Sequence, residues 1–163
     1  IEEHNEPVAV KLSAEVIREP AFTVWLEKTL AARGTGQHPL LHVQLLEAMG
    51  FRYLDSFNKL CATARKFGVK TGLEHMGHQM TEIGRLTDVG LDFMKIDVFF
   101  VKDVHKDSVH QYLLKTLATL AHSIGIDAIA EGVANNEELV MVDKLGLDGA
   151  SGPIVLDQFA NKT

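Results

Sequence analysis

The chain of 163 residues has a single cysteine, Cys61, so no disulfide can close within it. That fits a reducing compartment. No apolar run approaches the ~20 residues that a membrane-spanning helix needs. The opening Ile1-Glu2-Glu3-His4-Asn5-Glu6-Pro7 lacks a basic region followed by an apolar stretch, so it does not read as a signal peptide. Prolines number only 4, and no linker, low-complexity tract or charge block interrupts the chain. Neither a G-x-S-x-G elbow nor a P-loop occurs. Positive charge is the minority sign, with 16 Lys and Arg against 22 Asp and Glu and a formal net charge of −6. This balance argues against non-specific binding of nucleic-acid polymers. It leaves open a small anionic ligand, because a local pocket can oppose the net charge. Hydrophobic residues make up 46% and charged residues 23%, the profile of a globular chain and not a disordered one.

What is present is alternation. Short apolar runs fall at residues 8–13, 40–46, 69–74, 93–97, 128–130 and 149–155. Helical periodicity fills the gaps. Phe22, Trp25, Leu26 and Leu30 form one face, with Gly34 and Gly36 as the stop. Leu54, Phe57, Cys61 and Ala64 form the next, which places Cys61 in the core as an inert thiol. Met80, Ile83 and Leu86 mark a shorter helix. Ser108 is the expected N-cap of a long helix with Val109, Tyr112, Leu113, Leu117 and Leu120 facing inward. Asn135 followed by Glu138 reads as a capping-box variant before Leu139, Val142 and Leu145. Six candidate strands separated by five helical crossovers give an α/β fold with parallel strands, either a barrel or an open doubly wound sheet. The runs 8–13 and 40–46 are mostly apolar, as in a parallel sheet covered on both faces.

Such folds place function at the C-terminal ends of their strands. Polar residues gather there: Lys11 and Ser13, Gln44 and Glu47, Glu74 and His75, Lys95 and Asp97, Glu131, and Ser151. Six strands contributing polar groups at the same end point to a ligand site. His75-x-x-His78 has a spacing that metals use, but hydrogen-bonding or surface histidines are the simpler reading. Gly149-Ala150-Ser151-Gly152-Pro153 would let backbone N–H groups approach a phosphate.

Several segments resemble the EAL domain family in the correct order along essentially the whole chain. They are Val10-Lys11-Leu12-Ser13, Leu41-His42-Val43-Gln44-Leu45-Leu46-Glu47, Leu73-Glu74-His75-Met76-Gly77, Leu91-Asp92-Phe93-Met94-Lys95-Ile96-Asp97 and Ile129-Ala130-Glu131-Gly132-Val133. EAL domains are cyclic-di-GMP phosphodiesterases built on a TIM-like barrel. The resemblance implies such a barrel, incomplete: residues 1–163 would be its later two-thirds, about six of eight strands, with the strands carrying the E-A-L motif lying before Ile1. His75-x-Gly77-x-Gln79-x-x-x-Ile83-Gly84-Arg85-Leu86 and Gly149-Ala150-Ser151-Gly152-Pro153 are similar to the LapD group. Those are inner-membrane receptors whose degenerate EAL domain binds cyclic-di-GMP without cleaving it, and which control a periplasmic protease and biofilm adhesion.

The departures from the enzyme pattern bear on function. Active members hold two divalent metals with an Asn, a Glu, an Asp-Asp pair and a later Glu, with a Lys close by. Here Lys11 stands at the Asn position, Gln44 at the Glu and Glu74-His75 at the Asp-Asp, while Lys95 and Glu131 match. The site is about three charge units less negative than the enzyme's, which disfavours divalent cations and favours phosphate. By this resemblance Lys11, Gln44, Glu74, His75 and Lys95 surround the phosphates, Asp97 and Glu131 are polar ligand contacts, and Ser151, Gly152 and Pro153 line the guanine or phosphate edge. A Lys95–Glu131 ion pair is the competing structural role. The implied function is a catalytically silent cyclic-di-GMP receptor with no required cofactor, homodimeric, on the cytoplasmic side of a bacterial inner membrane. The alternatives are an active phosphodiesterase with Glu74, His75 or Glu47 as substitute metal ligands, and a dimerisation scaffold that binds no nucleotide.

Overall fold

A computed structural model describes residues 7–32, 38 and 40–160 of the chain. The expected helix stop at Gly34 and Gly36 lies outside the described residues. Six strands are hydrogen-bonded in the order β1-β2-β3-β4-β5-β6, each beside its neighbour in sequence. Every crossover between them carries helix, the connectivity of a TIM-type β/α barrel, of which six strands are present here. The chain divides into two compact units, with one boundary in sequence between Leu73 and Glu74.

The first unit comprises residues up to Leu73 together with Gln79–Asp92. Strand β1 (Val8–Lys11) pairs in parallel with β2 (Leu41–Leu46), with Val10 opposite Val43 and Lys11 opposite Gln44. Contrary to the expectation of a strand covered on both faces, β1 is exposed along its whole length. Ser13 caps α1 (Ala14–Arg18) by accepting from the Val16 N–H. Pro20 then ends α1, because a residue before proline leaves the helical region, and opens α2 (Pro20–Ala31) at its first position. Helix α2 buries Leu26 and Leu30, but Trp25 is 57% exposed and stacks on Phe22. The inward stripe is therefore narrower than the apolar spacing suggested. After β2 come α3 (Glu47–Arg52) and α4 (Leu54–Arg65). Phe57, Leu60, Cys61 and Ala64 on α4 are buried, and this face carries the core of the unit. Gly50 sits where a Cβ would meet the Leu73 side chain at 2.5 Å, so glycine lets α3 lie close to β3 (Lys70–Met76). The segment Met80–Leu86 is a 3-10 helix that buries Ile83 and Leu86. Asp92 ties the end of the unit to β3, accepting from the Thr71 N–H at 2.8 Å and from the Lys70 ammonium at 3.1 Å.

The second unit comprises Glu74–His78 together with residues from Phe93 onward. Strand β4 (Phe93–Ile96) pairs in parallel with β5 (Asp127–Ala130), and β5 with β6 (Gly149–Ala150). Helix α5 (Val98–Val101) and a 3-10 turn (Val104–Lys106) lead into α6 (Ser108–Ser123). The N-cap of α6 is Asp107 and not Ser108: its carboxylate accepts from the Val109 and His110 N–H groups. Aspartate is as good a cap as serine, and here it reaches two donors. The buried face of α6 holds Leu114, Leu117, Ala118 and Ala121, whereas Val109 and Tyr112 are 73% and 77% exposed. Small alanines allow close approach to β4 and β5, and the expected stripe through Tyr112 points to solvent. Asn135 caps α7 (Asn136–Lys144) as expected, accepting from the Glu138 N–H. Glu138 completes the variant box on the Ala134 N–H and also accepts from the Asp103 N–H, both at 2.8 Å. The run 149–155 is not one strand. It ends after two residues, and Pro153 begins α8 (Pro153–Ala160).

Burial pushes the Cys61 thiol up to about 11, well above the range in which a thiolate forms at neutral pH. Cys61 is therefore expected to resist iodoacetamide in the native protein and to react in denaturant, as read by mass spectrometry. Phe57, fully buried, should cost about 3–5 kcal/mol of unfolding free energy on replacement by alanine, measured by urea titration.

Candidate functional site

In the second unit the parallel ladder runs one residue past the strand ends, and that extension places the polar residues. The Asp97 N–H donates to the Met76 carbonyl at 3.0 Å and the Glu131 N–H to the Ile96 carbonyl at 3.0 Å. The Ser151 N–H donates to the Ala130 carbonyl at 2.8 Å. Asp97, Glu131 and Ser151 thus stand at the C-terminal ends of β4, β5 and β6, where the sequence pattern put them.

Two carboxylates and two imidazoles organise this end. His75 adopts φ 57°, the left-handed region, which is uncommon for a non-glycine residue and turns the chain sharply at the end of β3. Its N–H donates to Glu131 Oε2 at 3.2 Å, and its ring Nε2 lies 3.9 Å from the same oxygen. Its Nδ1 lies 3.7 Å from Asp97 Oδ2. His78 Nε2 is 3.1 Å from Asp97 Oδ2, and its ring packs on Phe100. The other Asp97 oxygen accepts from the Phe99 N–H at 2.7 Å and so caps α5. The two rings of His75-x-x-His78 therefore converge on Asp97, His78 by a hydrogen bond and His75 at ion-pair distance.

Glu74 is buried, 2% exposed, and its ligand atoms, those of His75 and those of Glu131 all lie within 4.8 Å of one another. Lys95 lies 5.9 Å from the centre of the Phe93 ring and acts on Glu131 through its charge. Where an ion pair with Lys95 was the competing structural role, Glu131 contacts His75, because the turn at His75 brings its N–H onto the carboxylate. Gly152 has φ 140°, and a Cβ there would stand 2.4 Å from the Val133 backbone nitrogen. Only glycine permits that approach, which carries the chain from Ser151 into Pro153 and α8. Gly77, at φ 123°, likewise leaves room for the Phe100 ring, which a Cβ would meet at 2.6 Å.

In the first unit, Lys11 at the end of β1 is the register partner of Gln44, two residues before the end of β2. Gln44 is buried and Lys11 exposed. Glu47, buried at the start of α3, accepts from the Gln79 N–H at 3.1 Å and so holds the entry to the 3-10 segment. The aromatic cluster of Phe99, Phe100, His78 and His110 escaped the sequence reading. Its signal was the consecutive Phe99-Phe100 just after Asp97.

The two carboxylates are tuned in opposite directions. Desolvation pushes the Glu131 carboxyl above its ordinary range, against the His75 N–H and charge that favour ionisation. Burial also opposes ionisation of Asp97, but the Phe99 N–H, the His78 hydrogen bond and the charge of His75 outweigh it and hold this carboxyl below its ordinary range. Glu131 thus costs stability as pH rises through the carboxylate range. Asp97 contributes stability that is complete above its unfolded value and is lost as pH falls through its folded one. Carboxyl ¹³C titration should therefore show Glu131 ionising above an unperturbed glutamate and Asp97 below an unperturbed aspartate. Glu131→Gln should unfold at higher urea than the parent near neutrality and at equal urea in strong acid. Gly152→Ala should lose more than about 1 kcal/mol in the same assay.

Comparisons with known proteins agree with this fold. Residues 2–157 match the EAL domain family. The chain is 25% identical over 148 residues to "Cyclic di-GMP phosphodiesterase PdeR" of Escherichia coli (strain K12), covering 91% of this chain and 22% of that protein. It spans about a fifth of the length of the curated relatives it matches. The FimX EAL domain from Pseudomonas aeruginosa, solved bound to c-di-GMP, superposes with a TM-score of 0.82 at 25% identity, over 92% of this chain and 61% of that one. The Vibrio cholerae LapD S helix-GGDEF-EAL structure bound to c-di-GMP superposes with a TM-score of 0.80 at 22% identity, over 94% of this chain and 37% of that one, a likeness of fold. With the motifs in order, the strand-end carboxylates in place and the family matched along nearly its whole length, this chain belongs to the EAL domain family.

Proposed function

We infer that this EAL domain is a receptor for cyclic di-GMP that binds the dinucleotide without hydrolysing it. The observation that carries this reading is the register pair of Lys11 at the end of β1 and Gln44 near the end of β2. By their resemblance to the family's motifs, these positions belong to metal ligands in the hydrolysing members. A lysine ammonium repels a divalent ion and attracts phosphate, and a neutral amide is a weaker cation ligand than a carboxylate. Lys11, Gln44, Glu74, His75 and Lys95 are assigned to the phosphates, and Asp97, Glu131, Ser151, Gly152 and Pro153 to polar contacts and the base edge. The FimX and LapD structures, both with c-di-GMP bound, support the choice of ligand.

A metal-dependent phosphodiesterase is the second reading, and one observation favours it. Glu74, His75 and Glu131 offer two carboxylates and an imidazole within 4.8 Å of one another, a donor set that fits one divalent ion. Such an ion, held by these three side chains, would supply Lewis-acid stabilisation of charge on a phosphate oxygen. The turn at His75 and the Glu131 contact would orient the donors whether or not an ion binds.

We read the chain as the later portion of one EAL domain in a LapD-like, inner-membrane signalling protein. In that reading the domain dimerises on the cytoplasmic side, and another part of the protein acts on a periplasmic protease in biofilm adhesion. Among the described residues no helix is long and apolar enough to cross a membrane, so membrane attachment belongs to other segments in this reading.

Calorimetry of the full-length protein with cyclic di-GMP should show binding in the presence of EDTA. No linear dinucleotide should appear with Mg²⁺ or Mn²⁺. Glu131→Ala should weaken binding by about 1–3 kcal/mol, the loss of a buried hydrogen-bond acceptor. Metal-dependent linear product that vanishes in Glu131→Ala would instead establish the enzyme.

A further inference from the structure

On the helical side of the first unit, α1, α2 and α4 enclose a cleft of ≈ 380 Å³. Its polar lining is one-sided. Arg18 and Lys59 contribute two cations, Thr23, Ser56 and Thr63 contribute three hydroxyls, and among the described residues no carboxylate lines it. This concentration of donors stands out in a chain whose formal net charge is −6. Arg18 is oriented, with its guanidinium carbon 4.8 Å from the centre of the Tyr53 ring. Stacking restrains the guanidinium plane and leaves its N–H edge for a ligand. Arg52 lies over the same ring at 5.5 Å and adds to the local positive field. Glu15 feels the charge of Arg18 but does not line the cleft.

Thr63 lies on the α4 side of the cleft. It is only 7% exposed. A hydroxyl on a residue that lines a cleft with two cations can donate to a ligand oxygen. The donor set also selects the chemistry. Two cations and three hydroxyls arranged around one volume match an acceptor with several oxygens on different sides. A tetrahedral phosphate meets that demand, whereas a carboxylate has two oxygens in one plane.

We propose that the cleft between α1–α2 and α4 binds a phosphate group, with Arg18 and Lys59 as its cationic ligands and the Thr63 hydroxyl as an inner donor. This site is made of the outer helices of the first unit and shares no residue with the strand-end positions assigned to cyclic di-GMP. The inference does not rest on that assignment.

The test is a titration of the protein with inorganic phosphate, followed through its amide NMR spectrum at constant ionic strength. Saturable shifts are expected at the amides of Thr23, Ser56 and Thr63, with none from chloride. The double variant Arg18→Gln/Lys59→Gln should raise the midpoint about tenfold or more. Both side chains are exposed, so the fold should be retained, as checked by circular dichroism. Thr63→Val removes one donor without changing charge and should raise the midpoint several-fold. Phenyl phosphate separates the possible sources: a lower midpoint than phosphate indicates a phosphomonoester of a larger molecule, and an equal one indicates the free anion. Non-saturating shifts, or a midpoint unchanged in the double variant and in Thr63→Val, would overturn the proposal.

Discussion

The parallel ladder of the second unit does not stop where its strands stop. The backbone bonds Asp97 to Met76, Glu131 to Ile96 and Ser151 to Ala130 extend it by one residue each. Those bonds fix the backbone from which the polar side chains project. Everything chemical at this end follows from them: Asp97 caps α5, Glu131 receives the His75 N–H, and Ser151 leads into the Gly152 turn. A ladder bond is cheap in sequence terms, because any residue except proline can make it. The positions are therefore free to carry whatever side chain the site requires.

Carboxylates act as braces elsewhere in both units. In the first, Asp92 joins the Thr71 N–H and the Lys70 ammonium, and Glu47 holds the Gln79 N–H. In the second, Glu138 holds two backbone donors from separate segments, and Asp148 joins the Ala128 N–H to the His122 ring. A carboxylate can satisfy backbone N–H groups of strands and loops alike, and charge-assisted hydrogen bonds are the stronger kind. The acidic excess of the chain is in part this structural use, and so it coexists with a cleft lined by Arg18 and Lys59.

Much of the arrangement was legible beforehand. The six strands and the polar residues at their ends follow from the alternation of apolar runs and helical periods. The capping role of Asn135 and the burial of Cys61 follow from local pattern. The misreadings have local causes as well. Tyr112 is apolar at the right spacing yet exposed, because the buried face of α6 is taken by Leu114, Leu117, Ala118 and Ala121; Trp25 on α2 is exposed as well and stacks on Phe22. Ser108 yielded the cap of α6 to Asp107, its equal in capping preference and one residue earlier. The run 149–155 read as a strand until Pro153, whose fixed φ suits the first turn of a helix.

The sequence by itself determined the order of elements, the parallel topology that long crossovers enforce, and membership of the EAL family, because these depend on periodicity and on motifs read in line. Only the tertiary structure decided which polar groups meet. It put Glu131 in contact with His75, where a pair with Lys95 was the competing structural role, and it joined His78 to Asp97. The physical reason is the left-handed turn at His75, a backbone conformation with no signature in residue type, which redirects one N–H and one ring by a few ångströms. Separations of that size decide hydrogen bonds and ionisation, and one-dimensional spacing does not encode them.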